Sequence, residues 1–429
     1  MSATTFEIKG FEIKGWCPGA RRPMQSGDGL IARVRPHGGS LPVAALERLA
    51  DAATRFGNGQ IDLTRRANLQ IRGIKPETLE ELWQALVSLG LLDDSAEIEA
   101  IRNIAINPLA GLDAAELGDM RPVAHALETS LATVRELRGL PGKFGFLFDG
   151  GGRLPLSELD ADIHLVACRD GKVAIGVGAD GGGAQWLGAV DLDQAAAVAA
   201  RLAGAILARS ATRRAQALSS EAVAAIRTEL DLAPCSIPNR QGVLRRCRGL
   251  ITLGDGIHVV GLGIAFGRIE AVSLAALAGE LTRLGVPEVR LSPWRILYVA
   301  VRNRVEGEAL LAFAGNIGLV IDDADPIVRI DACSGVGCCS VTKLATRDHA
   351  RALAEIACRT DFAGTLHVSG CAKGCARSAP ADVALVGDGE RYRVIHKGTV
   401  KDESCAWFDP ADIATRGGSL LMMERTADV

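Results

Sequence analysis

Gly27-Asp28-Gly29-Leu30 returns 227 positions later as Gly254-Asp255-Gly256-Ile257. Each copy leads into a strand-like run, an Ala/Leu-rich helical stretch, a second strand and another helix. The copies also close alike, with Gly90-Leu91-Leu92-Asp93-Asp94 against Gly318-Leu319-Val320-Ile321-Asp322-Asp323, at offsets of 228 to 229. A βαβ-type pattern of about seventy residues that occurs twice marks two ferredoxin-like half-domains from one duplicated unit. The matches are short, and chance similarity is the competing reading.

With 429 residues the chain exceeds what one core organises, so roughly two to four domains are expected. Apolar residues make up 48% and charged residues 23%, an ordinary globular balance, and a net charge of −3 gives no general attraction to nucleic acid or anionic membrane. No apolar run approaches the roughly 20 residues that span a bilayer. Glu7, Lys9, Glu12 and Lys14 interrupt the first fifteen residues, which excludes a signal-peptide core there. The same stretch holds a tandem Phe-Glu-Ile-Lys-Gly, at 6–10 and 11–15, to which no role is assigned.

Cys333, Cys339, Cys371 and Cys375 form two pairs, C-x5-C and C-x3-C, thirty-one residues apart. Four thiolates so spaced suit a cubane [4Fe–4S] cluster. Gly335, Gly337 and Gly374 let the backbone approach its sulfides, and Lys373 and Arg377 would offset its negative charge. A zinc site, which prefers pairs two to four residues apart, and a set of buried free thiols are the alternatives. Cys17, Cys168, Cys235, Cys247, Cys358 and Cys405 are scattered singly and read as buried thiols. Eleven cysteines without a secretory signal point to a reducing, cytoplasmic setting.

Residues 63–72 read as one strand. Leu63, Ala67, Leu69 and Ile71 are apolar, while Thr64, Arg66, Asn68, Gln70 and Arg72 occupy the alternate positions. Period two would place two guanidinium forks and two amides on one sheet face, suited to a polyanionic ligand. A solvated sheet face is the plainer reading.

Cys333-Ser-Gly-Val-Gly-Cys338-Cys339 and Ser369-Gly-Cys371-Ala-Lys-Gly-Cys375 resemble the cluster motifs of the sulfite and nitrite reductase superfamily, whose last cysteine bridges cluster and siroheme iron. The resemblance selects Cys339, while ligation through Cys338 stays open. It covers nearly the whole chain. It implies an α+β fold in which two ferredoxin-like half-domains pair into one domain, with two α/β nitrite/sulfite-reductase-type domains in pseudo-twofold arrangement. The corresponding segments are an N-terminal extension 1–20, half-domain 21–95, α/β domain 96–240, half-domain 241–323 and iron–sulfur α/β domain 324–429. Leu63–Gly73 resembles the superfamily's first tetrapyrrole- and substrate-binding strand, which puts Arg66 on the active-site arginine; Trp294 takes its place in the second copy. Arg102-Asn-Ile-Ala-Ile-Asn-Pro supplies a second active-site arginine. Leu140-Pro-Gly-Lys143-Phe-Gly145 keeps one of two lysines that usually serve a small oxyanion, and Gly145 replaces the other.

An incomplete oxyanion site beside intact cluster motifs resembles the precorrin-3B synthase branch, which takes its tetrapyrrole as substrate. Gly15-Trp16-Cys17-Pro18-Gly19-Ala20, Pro23-Met24 and Ser26-Gly-Asp-Gly look like the start of that family. The resemblance implies oxygen-dependent hydroxylation of precorrin-3A at C20 with γ-lactone formation, in aerobic cobalamin biosynthesis. Arg66, Asn68, Gln70, Arg72, Arg102 and Lys143 would meet the substrate, with Arg66, Arg102 and Lys143 serving catalysis. It also implies a [4Fe–4S] cluster, a mononuclear non-haem iron, and NADH as the ultimate reductant. A siroheme-dependent sulfite or nitrite reductase and a non-catalytic tetrapyrrole-binding electron-transfer protein are the other readings.

Two His and a carboxylate would suit the second iron. The seven histidines, His37, His125, His164, His258, His349, His367 and His396, show no ligand spacing, and none is assigned. Gly176-Val-Gly178-Ala-Asp-Gly181 fits G-x-G-x-x-G, but strand-like sequence follows it and a helix begins only near Leu192. A hairpin is expected there, not a dinucleotide site, so electrons from NADH are expected through a separate reductase.

Overall fold

The computed structural model describes residues 18–179, 183–234, 247–254 and 256–422. The tandem Phe-Glu-Ile-Lys-Gly, the Gly15-Trp16-Cys17 start, Cys235, Asp255 and Gly181 lie outside them. By contacts the chain forms two compact units, residues 25–29 with 322–422, and residues 18–24 with 30–321.

In the larger unit the duplication is visible in the backbone. Gly29–Val34, Leu69–Ile74 and Gln60–Leu63 lie side by side in one antiparallel sheet, and His258–Gly263, Ile296–Val301 and Glu288–Leu291 repeat that order in another. Helices Val43–Phe56 and Ala271–Arg283 cover them, and Leu46, Leu49 and Ala53 share one core with Leu274, Leu277 and Leu281. The halves exchange edge strands. Arg268–Glu270 of the second half pairs with Gln60–Leu63 of the first, and Ser40–Pro42 of the first pairs with Glu288–Leu291 of the second. Two ferredoxin-like halves therefore make one domain.

The expected single strand at 63–72 is a hairpin. The ladder ends at Leu63 and resumes at Leu69. Thr64 makes the turn: its N–H donates to Asn68 O at 2.8 Å, and its hydroxyl accepts from Arg66 N at 3.3 Å and Asn68 N at 3.2 Å. Ala67 closes it with φ +52°, as Arg295 does at the matching point of the second copy with φ +62°. Alternation cannot carry one face through such a turn, so Arg66 sits at the tip and Gln70 and Arg72 on the returning strand.

Each remaining α/β domain has one five-stranded sheet, and the two sheets share a topology. Ile104–Ile106, Phe146–Asp149 and Ile163–Ala167 are parallel, followed by antiparallel Lys172–Val177 and Gln185–Asp191. Ile330–Ala332, Leu366–Ser369 and Ala381–Asp388 are likewise parallel, followed by antiparallel Arg391–Gly398 and Ala406–Phe408. A helix, Arg121–Thr133 or Thr346–Arg359, crosses between the first two strands of each. Val177 and Gln185 pair antiparallel on either side of the glycine-rich segment, and the next helix starts at Ala195.

The exchanged strand carries an ion-pair lock. Arg268 binds both oxygens of Asp62 at 2.7 and 2.9 Å, and Arg72 Nη1 reaches the same carboxylate at 3.2 Å. Asp62→Ala would leave two buried guanidiniums facing each other. It should destabilise the protein by about 3 kcal/mol, read as a lower denaturant midpoint at unchanged slope.

Candidate functional site

Cys333 follows strand Ile330–Ala332 and Cys371 follows its parallel neighbour Leu366–Ser369, so both cysteine loops open at carboxyl ends of adjacent strands. Such ends are where α/β sheets place ligands. Cys333 N donates to Val368 O at 3.2 Å, and Gly370 N donates to Cys333 Sγ at 3.2 Å. Gly335 and Gly337 turn the first loop with φ of +71° and +81°, and Gly374 the second with +62°. A side chain at Gly335 would strike Thr346 Oγ1 at 2.7 Å, and one at Gly370 would strike Thr342 at 2.5 Å.

Desolvation pushes up the thiol of half-buried Cys371 and, although that residue is exposed at the surface, the thiol of Cys375. The charges of Cys333 and Cys339 push both further, Cys371 adds to Cys375, and Lys373 opposes the rise at each. Cys333 and Cys339 therefore lie near enough to Cys371 and Cys375 for their charges to be felt there. The Cys338 carbonyl accepts from Ser26 Oγ at 2.9 Å, and Gly27 lies so close that a Cβ would come within 3.0 Å of the Cys339 and Ser340 backbone. Among the described residues no three His, Cys, Asp or Glu side chains converge as a single-ion site. Four grouped thiols on glycine turns, with a backbone N–H aimed at one sulfur, fit a [4Fe–4S] cluster. The same absence of convergence leaves no donor set among the described residues for a mononuclear iron. His37 and His125 do reach one oxygen of Glu128, at 2.9 and 3.7 Å, but Arg102 holds the other at 3.5 Å. Burial works against charge on Glu128, yet His37 and Arg102 outweigh it and hold the carboxyl below its ordinary value. His367 is buried in its strand, and His349 is bonded to Tyr392 OH at 2.7 Å.

The basic strand of the larger unit divides into two kinds of group. Arg66 is exposed at the hairpin tip, with Asn68 buried beneath it. Arg72 is 3% exposed and paired with Asp62. Gln70 is cross-strand partner to both Arg33 and Asp62, and Asp62 is partner to Arg268. The result is a polar row, Arg33–Gln70–Asp62–Arg268, across four strands. With its carbonyl oxygen turned toward Arg33, the Gln70 amide accepts from Nη2 at 2.9 Å and Nε at 3.2 Å. Arg33 and Arg268 were not legible as part of this face, because register, not sequence distance, brings them there. At the counterpart position in the second copy, Trp294 Nε1 donates to Glu158 Oε1 at 2.6 Å and its ring packs near Leu147, Leu156 and Ala161.

Arg102 is 4% exposed, and its fork grips Asp93 with bonds of 2.8 to 3.2 Å while donating to Arg35 O at 2.8 Å. Lys143 is exposed. At Gly145 an added Cβ would meet nothing nearer than Ala161 Cα at 3.9 Å, so its lack of a side chain is not forced by crowding. Downstream of Arg102, Asn107 ties the loop by donating to Asp149 Oδ1 at 3.0 Å and Leu154 O at 2.8 Å and accepting from Gly150 N at 2.6 Å. Glu116 ends that loop. Its Oε2 accepts from Gly111 N at 2.8 Å, while its Oε1 is buried without a hydrogen-bond partner among the described residues. Burial foremost, then Asp119 and Asp113, push its carboxyl up to about 7 against the pull of the Gly111 N–H and Arg121. Of the single cysteines, Cys168 is buried, but Cys358 and Cys405 are exposed, contrary to expectation, at a helix end and before an edge strand.

Residues 22–89 match the family model described as the nitrite/sulfite reductase ferredoxin-like half domain. The chain is 34% identical to a precorrin-3B synthase of Sinorhizobium sp, covering 92% of this chain and 85% of that protein. It is 27% identical to a ferredoxin–nitrite reductase of Synechococcus elongatus, covering 85% and 77%, and 26% identical to a sulfite reductase (ferredoxin) of Mycobacterium tuberculosis, covering 83% and 70%. The solved structure of the Mycobacterium tuberculosis NirA protein shares the fold, with a TM-score of 0.72 at 20% identity over 93% of this chain and 82% of that one.

Two outcomes follow from this geometry. Serine at Cys333, Cys339, Cys371 or Cys375 should abolish cluster retention and serine at Cys338 should not, as counted by iron and sulfide per chain. Native Glu116 keeps a proton that the unfolded chain releases near its ordinary value of 4.5. Stability should therefore fall as pH rises from about 4.5 to about 7 and level off above. Glu116→Gln should flatten that slope in denaturant midpoints measured across the window.

Proposed function

This chain belongs to the precorrin-3B synthase family within the nitrite and sulfite reductase superfamily, and we propose that it hydroxylates precorrin-3A at C20 with O2, the ring A acetate closing onto C1 as a γ-lactone. One oxygen atom enters the macrocycle, and the other leaves as water with two electrons and two protons. The enzyme is an oxidoreductase of cobalamin biosynthesis. NADH as the ultimate source of electrons, a separate reductase that delivers them, and a mononuclear iron for oxygen are part of the same proposal.

The observation that carries the reading is Gly145. Beside Lys143, where a small oxyanion would need a second ammonium, the chain carries none, although a Cβ at Gly145 would meet no close neighbour. A large organic substrate with its own carboxylates needs cations spread along a rim instead. Arg66 and Lys143, both exposed, suit direct pairing with acetate and propionate groups, with Asn68 and Gln70 as amide partners nearer the strand. Arg72 and Arg102 are already committed to Asp62 and Asp93. Their part is to hold the hairpin and the Asn107 loop in place and to keep a positive field behind the contact residues. A [4Fe–4S] cluster held by Cys333, Cys339, Cys371 and Cys375 would supply one-electron transfer. The glycine turns let the loops fold close about its rim, and the Gly370 N–H supplies a backbone donor to Cys333 sulfur.

Anaerobically purified protein given precorrin-3A, a reductant and O2 should yield a product heavier by one oxygen atom. Unchanged substrate would instead favour a tetrapyrrole carrier. Stoichiometric siroheme bands in the purified protein would overturn the proposal in favour of a sulfite or nitrite reductase, the activities named for its 26–27% identical relatives. Arg66→Leu should weaken tetrapyrrole binding by about tenfold or more while iron and sulfide stay at wild-type levels, since a substrate carboxylate loses its charged donor.

A further inference from the structure

Thr346 is the first residue of helix Thr346–Arg359 and is wholly buried. Its hydroxyl donates to the Cys333 carbonyl at 2.9 Å and lies 3.6 Å from the sulfur of the same residue. Gly335 permits this approach, since any side chain there would collide with the hydroxyl. On the other side Gly370 N donates to the same sulfur at 3.2 Å, brought there by packing against Thr342. The helix also presents its N-terminal, positive end at this point.

A threonine hydroxyl has one hydrogen. While Cys333 is a thiol, its own S–H can donate to Thr346 Oγ1, and the hydroxyl hydrogen stays on the carbonyl. As a ligand thiolate, Cys333 has no hydrogen to give, and its sulfur competes with the carbonyl for the one that Thr346 carries. That competition turns toward sulfur as electron density on the cluster rises. Hydrogen bonds to cluster sulfur favour the reduced, more anionic state.

We infer that Thr346 is a positioning residue for the cluster, its hydroxyl fixing Cys333 and, together with the Gly370 N–H, raising the cluster's reduction potential. The inference rests on the cluster reading above and concerns a residue outside the ligand set. It assigns the helix a role in setting when the cluster accepts an electron, apart from holding the sheet together.

The test compares wild type, Thr346→Val and Thr346→Ser, each purified anaerobically. Iron and sulfide per chain are counted, and the reductive titration is followed by electron paramagnetic resonance. Valine keeps the shape and removes the donor; serine keeps the donor. The expected result is a full cluster in both variants, with the valine midpoint shifted to more negative potential and the serine midpoint at the wild-type value. Loss of the cluster from the valine variant alone also supports the inference, because the hydroxyl is then what holds Cys333. A valine midpoint equal to wild type would overturn it, as would equal shifts or equal cluster loss in both variants, which would assign the effect to packing of the methyl group. Wild type without iron and sulfide would remove the cluster reading itself, a result distinct from any difference among the variants.

Discussion

The carboxylate of Asp62 reaches one arginine of its own half-domain, Arg72, and one of the other, Arg268, where the exchanged strand closes the sheet. Desolvating these charges is tolerable only because they meet each other with bonded geometry. The reciprocal junction is built differently: Arg290 is held by Glu288 of its own strand and donates to Ala110 O at 3.2 Å. The lock is therefore one-sided, and it lies at the base of the hairpin that lifts Arg66. A tip residue can present a charge accurately only if its base does not shear, and Asp62 fixes both sides of that base.

The two α/β domains show what duplication leaves free to change. In each, two parallel strands end in loops that face the same end of the sheet. In the first domain the loop after Ile104–Ile106 begins with Asn107, which knits itself to Asp149 and Gly150. In the second, Cys333 stands at the corresponding place after Ile330–Ala332, with Cys371 beyond the next strand. One copy satisfies its loops internally with an amide and a carboxylate; the other places cysteine sulfur there, with the Gly370 N–H donating to Cys333. The topology supplies a place, and the side chains decide what occupies it.

Most of this layout could be read along the chain because it rests on local signals. The spaced cysteines and their glycines need only short loops, and the recurring Gly-Asp-Gly marks the duplication directly. What escaped was everything set by register or by a turn that hides inside an alternating pattern. Leu63, Ala67, Leu69 and Ile71 alternate well enough to suggest one strand, yet Thr64 captures the backbone and reverses it. Asp62 carries no mark of its two arginines, since Arg268 is remote in sequence and arrives only by strand exchange. For the same reason Arg72 and Arg102 read as cations available to a ligand, although Asp62 and Asp93 already occupy them.

The exchanged strands also bear on how the chain is made. Strand Gln60–Leu63 is synthesised roughly 200 residues before Arg268–Glu270, its edge partner. At translation speeds of about 5–20 residues per second, that edge stays open for roughly 10–40 seconds. During this interval Ile61 and Leu63 border an unpaired row of backbone donors and acceptors, the arrangement that recruits stray strands. The first half-domain thus cannot finish folding on its own. Its completion is a late, long-range event, and a ribosome-bound intermediate with an open sheet edge is built into the architecture of the chain.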